Sequence, residues 1–168
     1  HHLALEYATR EGARIGSALA NGGGALGCNS GQSPKASTVD PLIVEAVQRV
    51  LMSTGSPIAL ASVSEIRIYK ANAAGGELGP VNVWTYAYDA GPVPSDSTSR
   101  LNFTPSSVGW NACSRSNATP AEAIGISITY QYTFTTGLAS VVRMVGPATG
   151  PSLTLVDRTV MSLNPTAS

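Results

Sequence analysis

Apolar residues recur at helical spacing at the start of the chain. Over residues 3–20, positions spaced i, i+3, i+4 and i+7 are apolar with one acidic exception. They are Tyr7, Ala8, Glu11, Ile15, Ala18 and Leu19. Arg10, Arg14 and Ser17 lie on the opposite face of the same helix. The pattern predicts an amphipathic helix that ends at the glycine-rich residues 21–24. Because Gly12 and Gly16 are four apart, a neighbouring helix could approach closely there.

A second helical pattern follows a loop rich in Gly, Ser and Asn. Asp40 is a suitable N-cap and Pro41 suits the first helical position. An apolar stripe then predicts a helix with one buried face, formed by Ile43, Ala46, Val47, Val50 and Leu51. Gly55 and Pro57 are expected to end it.

From Ile58 onwards the period changes to two, which indicates strands. Residues 65–70 and 81–88 predict a hairpin across the turn signals of residues 71–80. Residues 124–134 form the clearest strand, with Ile, Tyr and Phe on one face and small or polar residues on a wet face. A last strand is expected over 153–163, with a bulge where its alternation slips at Asp157–Arg158.

The segment between residues 89 and 123 contains four prolines and no clear period. A structureless loop of this size is unusual in a compact domain, so it should be tied down. Trp110 and Cys113 are plausible anchors, and Phe103 suggests a short strand or a helical turn. Residues 138–145 are consistent with a short helix or an apolar loop.

Two helices followed by strands predict an α+β fold in which helices pack on a four-stranded antiparallel β-sheet. The 168 residues suit one domain, and 43% of them are apolar, which suffices for a core. Residues 1–2, both histidine, are interpreted as a tag remnant, leaving 3–168 as a single globular domain.

Charge and residue usage exclude several classes of function. Lys plus Arg and Asp plus Glu each number 10, so the basic surface typical of nucleic-acid-binding proteins is absent. Only 12% of residues are charged, a composition common in exported proteins. Beyond His1 and His2 there is no histidine, so a Ser-His-Asp arrangement is impossible.

The sequence also contains no motif for other kinds of catalytic, phosphate-binding or metal-binding site. A Ser–Lys pair using Lys35 or Lys70 has no recognisable context. The glycines at 22–24 follow a helix rather than opening one, so they do not suit a phosphate loop. Asp89 and Asp96 are too few acids for a calcium site. We therefore expect no catalytic residues, no metal and no cofactor, and the protein is not expected to be an enzyme.

The chain has two cysteines, Cys28 and Cys113, each in a loop-like segment. In an exported protein such a pair is usually a disulfide, and we predict a Cys28–Cys113 bridge. The alternative is two reduced, buried thiols in a cytosolic protein.

Several short strings resemble one protein family. The string Ala8-Thr-Arg-Glu-Gly-Ala-Arg14 resembles the signature that follows the hydrophobic segment in TadE-like minor pilins, or pseudopilins, of the tight-adherence branch of type IV pili. Residues 65–71 resemble the family's first strand. Residues 126–132, an apolar segment and residues 153–163 resemble its C-terminal end.

The resemblance implies a pilin-like fold and a non-enzymatic role in assembling or priming a pilus used for surface adherence. It also implies an apolar helix before Leu3 that sits in the bacterial inner membrane and later packs in a pilus core. The head would face the periplasm and then the cell exterior, with other pilins and the pilus assembly machinery as partners. Glu11, Gly12, Arg14 and Gly16 are then candidate helix-packing residues. Glu11 is expected either to be buried against Arg14 or to be solvated at the interface edge.

An alternative function is an exported adhesin or carbohydrate-binding module. Trp84, Tyr86 and Tyr88 share one face of the second strand, and Trp110 lies in the long segment. These aromatic residues suit a sugar-binding platform. The competing interpretation is that the N-terminal helix covers this face of the sheet.

Overall fold

The computed structural model describes residues 1–19, 36–117, 120–133 and 152–163. Two helices and five strands form its regular structure: α1 His2–Ala18, α2 Ala36–Leu51, β1 Val63–Ala71, β2 Glu77–Tyr86, β3 Phe103–Val108, β4 Ala123–Thr133 and β5 Ser152–Ser162. Short 3₁₀ turns lie at Leu60–Ser62 and Ala112–Ser114. Cys28, Lys35, Phe134, the glycines at 22–24 and the segment 138–145 lie outside the described residues.

The strands form one antiparallel sheet in the order β3-β2-β1-β4-β5. The α+β prediction is therefore confirmed, but the predicted four-stranded sheet is wrong because β3 adds a fifth strand. Proline and serine at residues 105–107 conceal this strand in the sequence. Pro105 is tolerated because β3 lies at the sheet edge, where an outward-facing backbone needs no N–H partner.

Isoleucines on β1 and β4 form the centre of the core. Ile66 and Ile68 of β1 pair with Ile128 and Ile126 of β4, and all four side chains are fully buried. The predicted inward face of β4 is confirmed as far as the structure describes it. The apolar stripe of α2 is also buried, and α1 packs beside it over β4 and β5.

The opposite face of β4 is not wet throughout, contrary to the prediction. Gly125 and Ser127 are buried. The ring of Tyr69 on β1 lies over Gly125, because a residue without a side chain leaves room for it. The hydroxyl of Tyr69 donates to the Gly75 carbonyl, and burial raises the Tyr69 pKa.

The buried face of α1 differs from the predicted one. Tyr7 is 60% exposed and Ala18 is exposed. The residues that face the core are mostly small: Leu5, Ala8, Thr9, Gly12, Ala13 and Gly16. The predicted stripe is correct for Ala8, which is buried, and for Ile15 and Leu19, which pack against the core, but it is wrong for Tyr7 and Ala18. The remaining buried positions are mostly small because close packing favours small side chains, which a hydrophobic pattern does not detect.

The start of α2 also differs from the prediction. The helix begins at Ala36, so Pro41 lies inside it and Asp40 is not its N-cap. The Asp40 carboxylate instead contacts Asn82 on β2 and Arg115 in the long segment after β2, as described below. Asp40 therefore contacts residues that are distant in sequence, and it does not cap the helix as the sequence suggested.

The predicted bulge in β5 is also wrong. β5 pairs with β4 without a register shift, from Ser152 opposite Thr133 to Ser162 opposite Ala123. The alternation slips at Asp157 because this acidic residue lies opposite Ile128, on the side of the sheet that faces the helices. The break in the alternation of β5 is therefore explained by the buried polar contact of Asp157, and not by an extra residue in the strand.

Candidate functional site

The inner face of α1 fits closely against α2 and β4. A Cβ placed on Gly12 would lie 2.7 Å from Val47 Cγ2, and one on Gly16 would lie 2.6 Å from Ile124 Cδ1. No larger residue fits at either position without a shift of its neighbours. The predicted close approach of another helix is therefore confirmed at both glycines, because Val47 of α2 lies against Gly12 and Ile43 of α2 would be 3.1 Å from a Cβ on Gly16.

A chain of polar contacts joins α1 to the edge strand β5. Thr9 Oγ1 donates to Asp157 Oδ1 over 3.0 Å and lies 2.9 Å from Thr159 Oγ1. The Glu6 carbonyl is also 3.0 Å from Thr9 Oγ1, and the hydroxyl has only one proton to share between the two acceptors. When that proton goes to Asp157, Thr159 donates to Thr9. Asp157 is 7% exposed, and its other oxygen lies 3.0 Å from His2 Nδ1. These contacts fix the position of α1 along the sheet.

The outer face of α1 is polar towards its C-terminal end and apolar towards its N-terminal end. Arg14 donates two hydrogen bonds to Glu11, of 2.6 and 2.9 Å. Glu11 is half-buried, and the Arg14 guanidinium holds its pKa below the usual range. The predicted Glu11–Arg14 pair thus forms, at the edge of the packed interface rather than inside it. Nearer the N-terminus, Leu3 is 68% exposed and Tyr7 is 60% exposed.

A second polar cluster ties the long segment after β2 to the helices. Arg115 is 1% exposed, and its Nη1 lies 2.7 Å from Asp40 Oδ1. The Asn82 side chain donates to Asp40 Oδ2 over 2.6 Å and exchanges two hydrogen bonds with the backbone of Trp110. The Arg115 guanidinium lies over the Trp110 ring, 4.5 Å from its centroid. The expectation that Trp110 anchors this segment is confirmed.

Sequence reasoning missed both polar clusters, although each left a signal. Asp157 interrupts the alternation of β5. Arg115 is the one charged residue between Arg100 and Glu122. A lone charge in a long neutral segment indicates a paired, buried group, because an unpaired charge would be costly to bury.

Cys113 lies in the 3₁₀ turn beside Arg115 and is half-buried. Among the described residues there is no free thiol, so the sulfur of Cys113 is not free. Cys28 lies outside them, so the Cys28–Cys113 pairing stays a prediction.

The two tryptophans do not form an exposed platform. Trp84 is 3% exposed and Trp110 is 6% exposed, and Tyr86 packs edge-on against Phe103. Only Tyr88 of the predicted aromatic face is open to solvent, at 78%. The burial interpretation is therefore correct, but residues of α2 rather than α1 adjoin Trp84.

The described residues offer little else for catalysis or metal binding. Within them, no group of three or more His, Cys, Asp or Glu side chains could hold a metal ion. Lys70 Nζ is paired with Glu122 Oε1 at 2.7 Å. None of the helices in this part of the chain has the length and apolar character needed to cross a membrane.

No protein-family model, curated protein or solved structure matches this chain.

Proposed function

We propose that this chain is the head domain of a TadE-like minor pilin that takes part in assembling or priming a tight-adherence pilus. It acts through its surfaces rather than through catalysis. Its partners are other pilins and the assembly machinery, and a preceding apolar helix attaches it to the inner membrane. The head faces the periplasm and, after assembly, the cell exterior.

The observation that carries this proposal is that the residues from Ala8 to Arg14 have one side buried in the head and one side exposed to solvent. Ala8, Thr9, Gly12 and Ala13 face the sheet or α2, while Arg10 and Arg14 face solvent and pair with acids on their own helix. One side of α1 is therefore packed inside the head domain. The other side is available for contacts between pilins.

The exposed apolar residues near the start of α1 also favour the proposal. Leu3 and Tyr7 are separated by one helical turn and share a side that neither the sheet nor α2 covers. A membrane-embedded helix that continues into α1 would place such residues near the bilayer. The arginines would then lie farther from it.

The simplest test is the gene sequence upstream of the codon for Leu3. The proposal requires about 20 consecutive, mainly apolar residues there, enough to cross a bilayer. A cleavable signal peptide with a small-residue cleavage site and no such span would overturn it.

A functional test compares two exposed tyrosines in the full-length protein. Tyr7→Asp is expected to reduce pilus number and surface adherence, because it places a charge on the open side of α1. Tyr88→Asp is the matched control, since Tyr88 is exposed on the head. Pili would be counted by electron microscopy in a deletion strain complemented with each variant. Equal piliation by Tyr7→Asp and wild type would contradict the proposed role of this surface.

The adhesin alternative finds less support, because burial of Trp84 and Trp110 removes the platform on which it depended. Glycan-array binding by the purified head, lost in Tyr88→Ala, would restore it.

A further inference from the structure

A cavity of about 510 Å³ lies between the first turns of α2, the sheet edge at β3 and the 3₁₀ turn at residues 112–114. This volume is within the range of small-molecule sites in proteins. Its walls are mainly apolar, and the residues that matter here are Asp40, Pro41, Trp84, Pro105, Val108 and Asn111. None of the contacts proposed for pilus assembly uses this cavity, so the inference is independent of that function.

Trp84 lines this cavity, and its side chain carries a buried hydrogen-bond donor that has no partner. The side chain is 3% exposed, and its indole N–H has no hydrogen-bond partner. A buried donor without an acceptor is unfavourable and rare in folded proteins. An acceptor on a bound molecule would remove this penalty. Because the nitrogen itself is buried, an acceptor would reach it only after a small side-chain adjustment, of the kind that is common on binding.

The charge of the cavity favours an uncharged ligand. Among the described residues that line it, Asp40 is the one that carries a charge. Its Oδ1 is ion-paired with Arg115 Nη1 at 2.7 Å without a hydrogen bond between them, and its Oδ2 accepts a hydrogen bond from the Asn82 amide at 2.6 Å. Because Arg115 balances this charge, a charged ligand gains no counterion from the described residues that line the cavity. Pro41, Pro105 and Val108 instead offer apolar contact.

We propose that this cavity is a binding site for a small, uncharged, mainly apolar molecule that carries a carbonyl-type hydrogen-bond acceptor. The apolar part packs against the prolines and Val108. The acceptor receives the Trp84 indole N–H. Binding requires no metal and no covalent step.

Three probes with the same six-membered ring separate the parts of this proposal. Cyclohexanone is neutral and carries an acceptor, cyclohexylammonium is a cation, and cyclohexanecarboxylate is an anion. The readout is the indole N–H signal of Trp84 in ¹⁵N-labelled protein, assigned by its loss in Trp84→Phe. Cyclohexanone is expected to shift this signal saturably, with a Kd on the order of 1 mM for so small a ligand. The two charged probes are expected to bind at least about tenfold more weakly.

Two exposed valines provide a matched pair of variants. Val108 is 67% exposed and lines the cavity, whereas Val156 is 60% exposed on β5, at the other edge of the sheet. Val108→Lys is expected to abolish the cyclohexanone shift, and Val156→Lys is expected to leave it unchanged. No saturable shift up to the solubility limit of cyclohexanone would overturn the proposal. Equal binding of all three probes, or equal effects of the two lysine variants, would also overturn it.

Discussion

Gly12 of α1 lies against Val47 of α2 with no room for a methyl group between them. A Cβ on residue 12 would lie 2.7 Å from Val47 Cγ2, while the nearest atom of β4, Ile126 Cγ2, would be 3.5 Å away. The distance between the two helices is therefore limited at this point by the absence of a side chain on one of them.

This relationship predicts different effects of alanine at the two glycines of α1. Gly12→Ala should destabilise the protein by about 1–2 kcal/mol, because the branched Val47 side chain is stiff and overpacking outweighs the gain in helix propensity. At Gly16 the nearest atoms are Ile124 Cδ1 at 2.6 Å and Ile43 Cδ1 at 3.1 Å, and each is the far end of a longer side chain that can turn away. Gly16→Ala should therefore change stability by less. Urea unfolding of both variants measures the difference.

A double-mutant cycle provides the control. Val47→Ala removes the clashing methyl group, so its cost and that of Gly12→Ala should not add, and the double variant should be more stable than their sum predicts. If Gly12→Ala is as stable as wild type, the two helices are not held as closely as described.

The strands with large alternating residues could be predicted from sequence, whereas the face of α1 could not. In β4, Ile124, Ile126 and Ile128 recur with period two, and all are fully buried. In α1 the buried side is rich in glycine and alanine, which contribute little to a hydrophobic pattern. Local periodicity detects large buried side chains and misses close packing between backbones.

The two polar clusters, around Asp157 and around Arg115, could not be predicted from the sequence for a different reason. Thr9 and Asp157 are 148 residues apart in sequence, and Asp40 and Arg115 lie on separate elements. Each pairing depends on the assembled sheet order, which no local pattern encodes. Asp40 was assigned to helix capping because its sequence neighbour, Pro41, is common at helix starts.

Substitutions at Thr9 should show that a hydroxyl group is needed between α1 and β5. Thr9→Val keeps the shape of the side chain but leaves the buried Asp157 without this donor, so a loss of about 1–3 kcal/mol is expected. Thr9→Ser keeps the hydroxyl and should lose less. Thermal or urea unfolding compares the two. A Thr9→Ser variant that is less stable than Thr9→Val would contradict the role given to the hydrogen bond.

Loss of Arg115 should be severe because it would leave the half-buried carboxylate of Asp40 without its counterion. Arg115→Met is expected to cost about 3–5 kcal/mol of unfolding free energy. The double variant Arg115→Met/Asp40→Leu removes both charges and should recover part of this loss. The Trp110 amide donates to Asn82 Oδ1 at 2.7 Å, and its carbonyl accepts from Arg115 Nη2 at 3.2 Å. Hydrogen exchange of this amide should increase in the single variant, because loss of Arg115 loosens the backbone that the amide belongs to. Unchanged stability of Arg115→Met would show that the ion pair does not hold this segment.

Two carboxylates should contribute to loss of stability in acid. Hydrogen bonds from Arg14 and Arg67 lower the pKa values of Glu11 and Glu77 below their usual 4.5. The unfolded state therefore takes up these protons first. The stabilising contribution is present above about pH 4.5 and is lost as the pH falls through the lower folded-state pKa values. Glu11→Gln/Glu77→Gln should flatten the dependence of stability on pH below 4.5, measured by urea unfolding. An equally steep loss in this variant would exclude the two pairs as a cause.

The predicted bridge between Cys28 and Cys113 should stabilise the turn that carries Arg115. Thiol counting in denaturant without reductant is expected to find no reactive thiol per chain. Reduction should lower the unfolding free energy by up to about 4–5 kcal/mol, since the bridge closes a long loop. Cys28→Ser/Cys113→Ser is the control, because its stability should not respond to reductant. Two reactive thiols in the wild-type protein would rule out the bridge and leave the Asp40–Arg115 pair as the main tie on this segment.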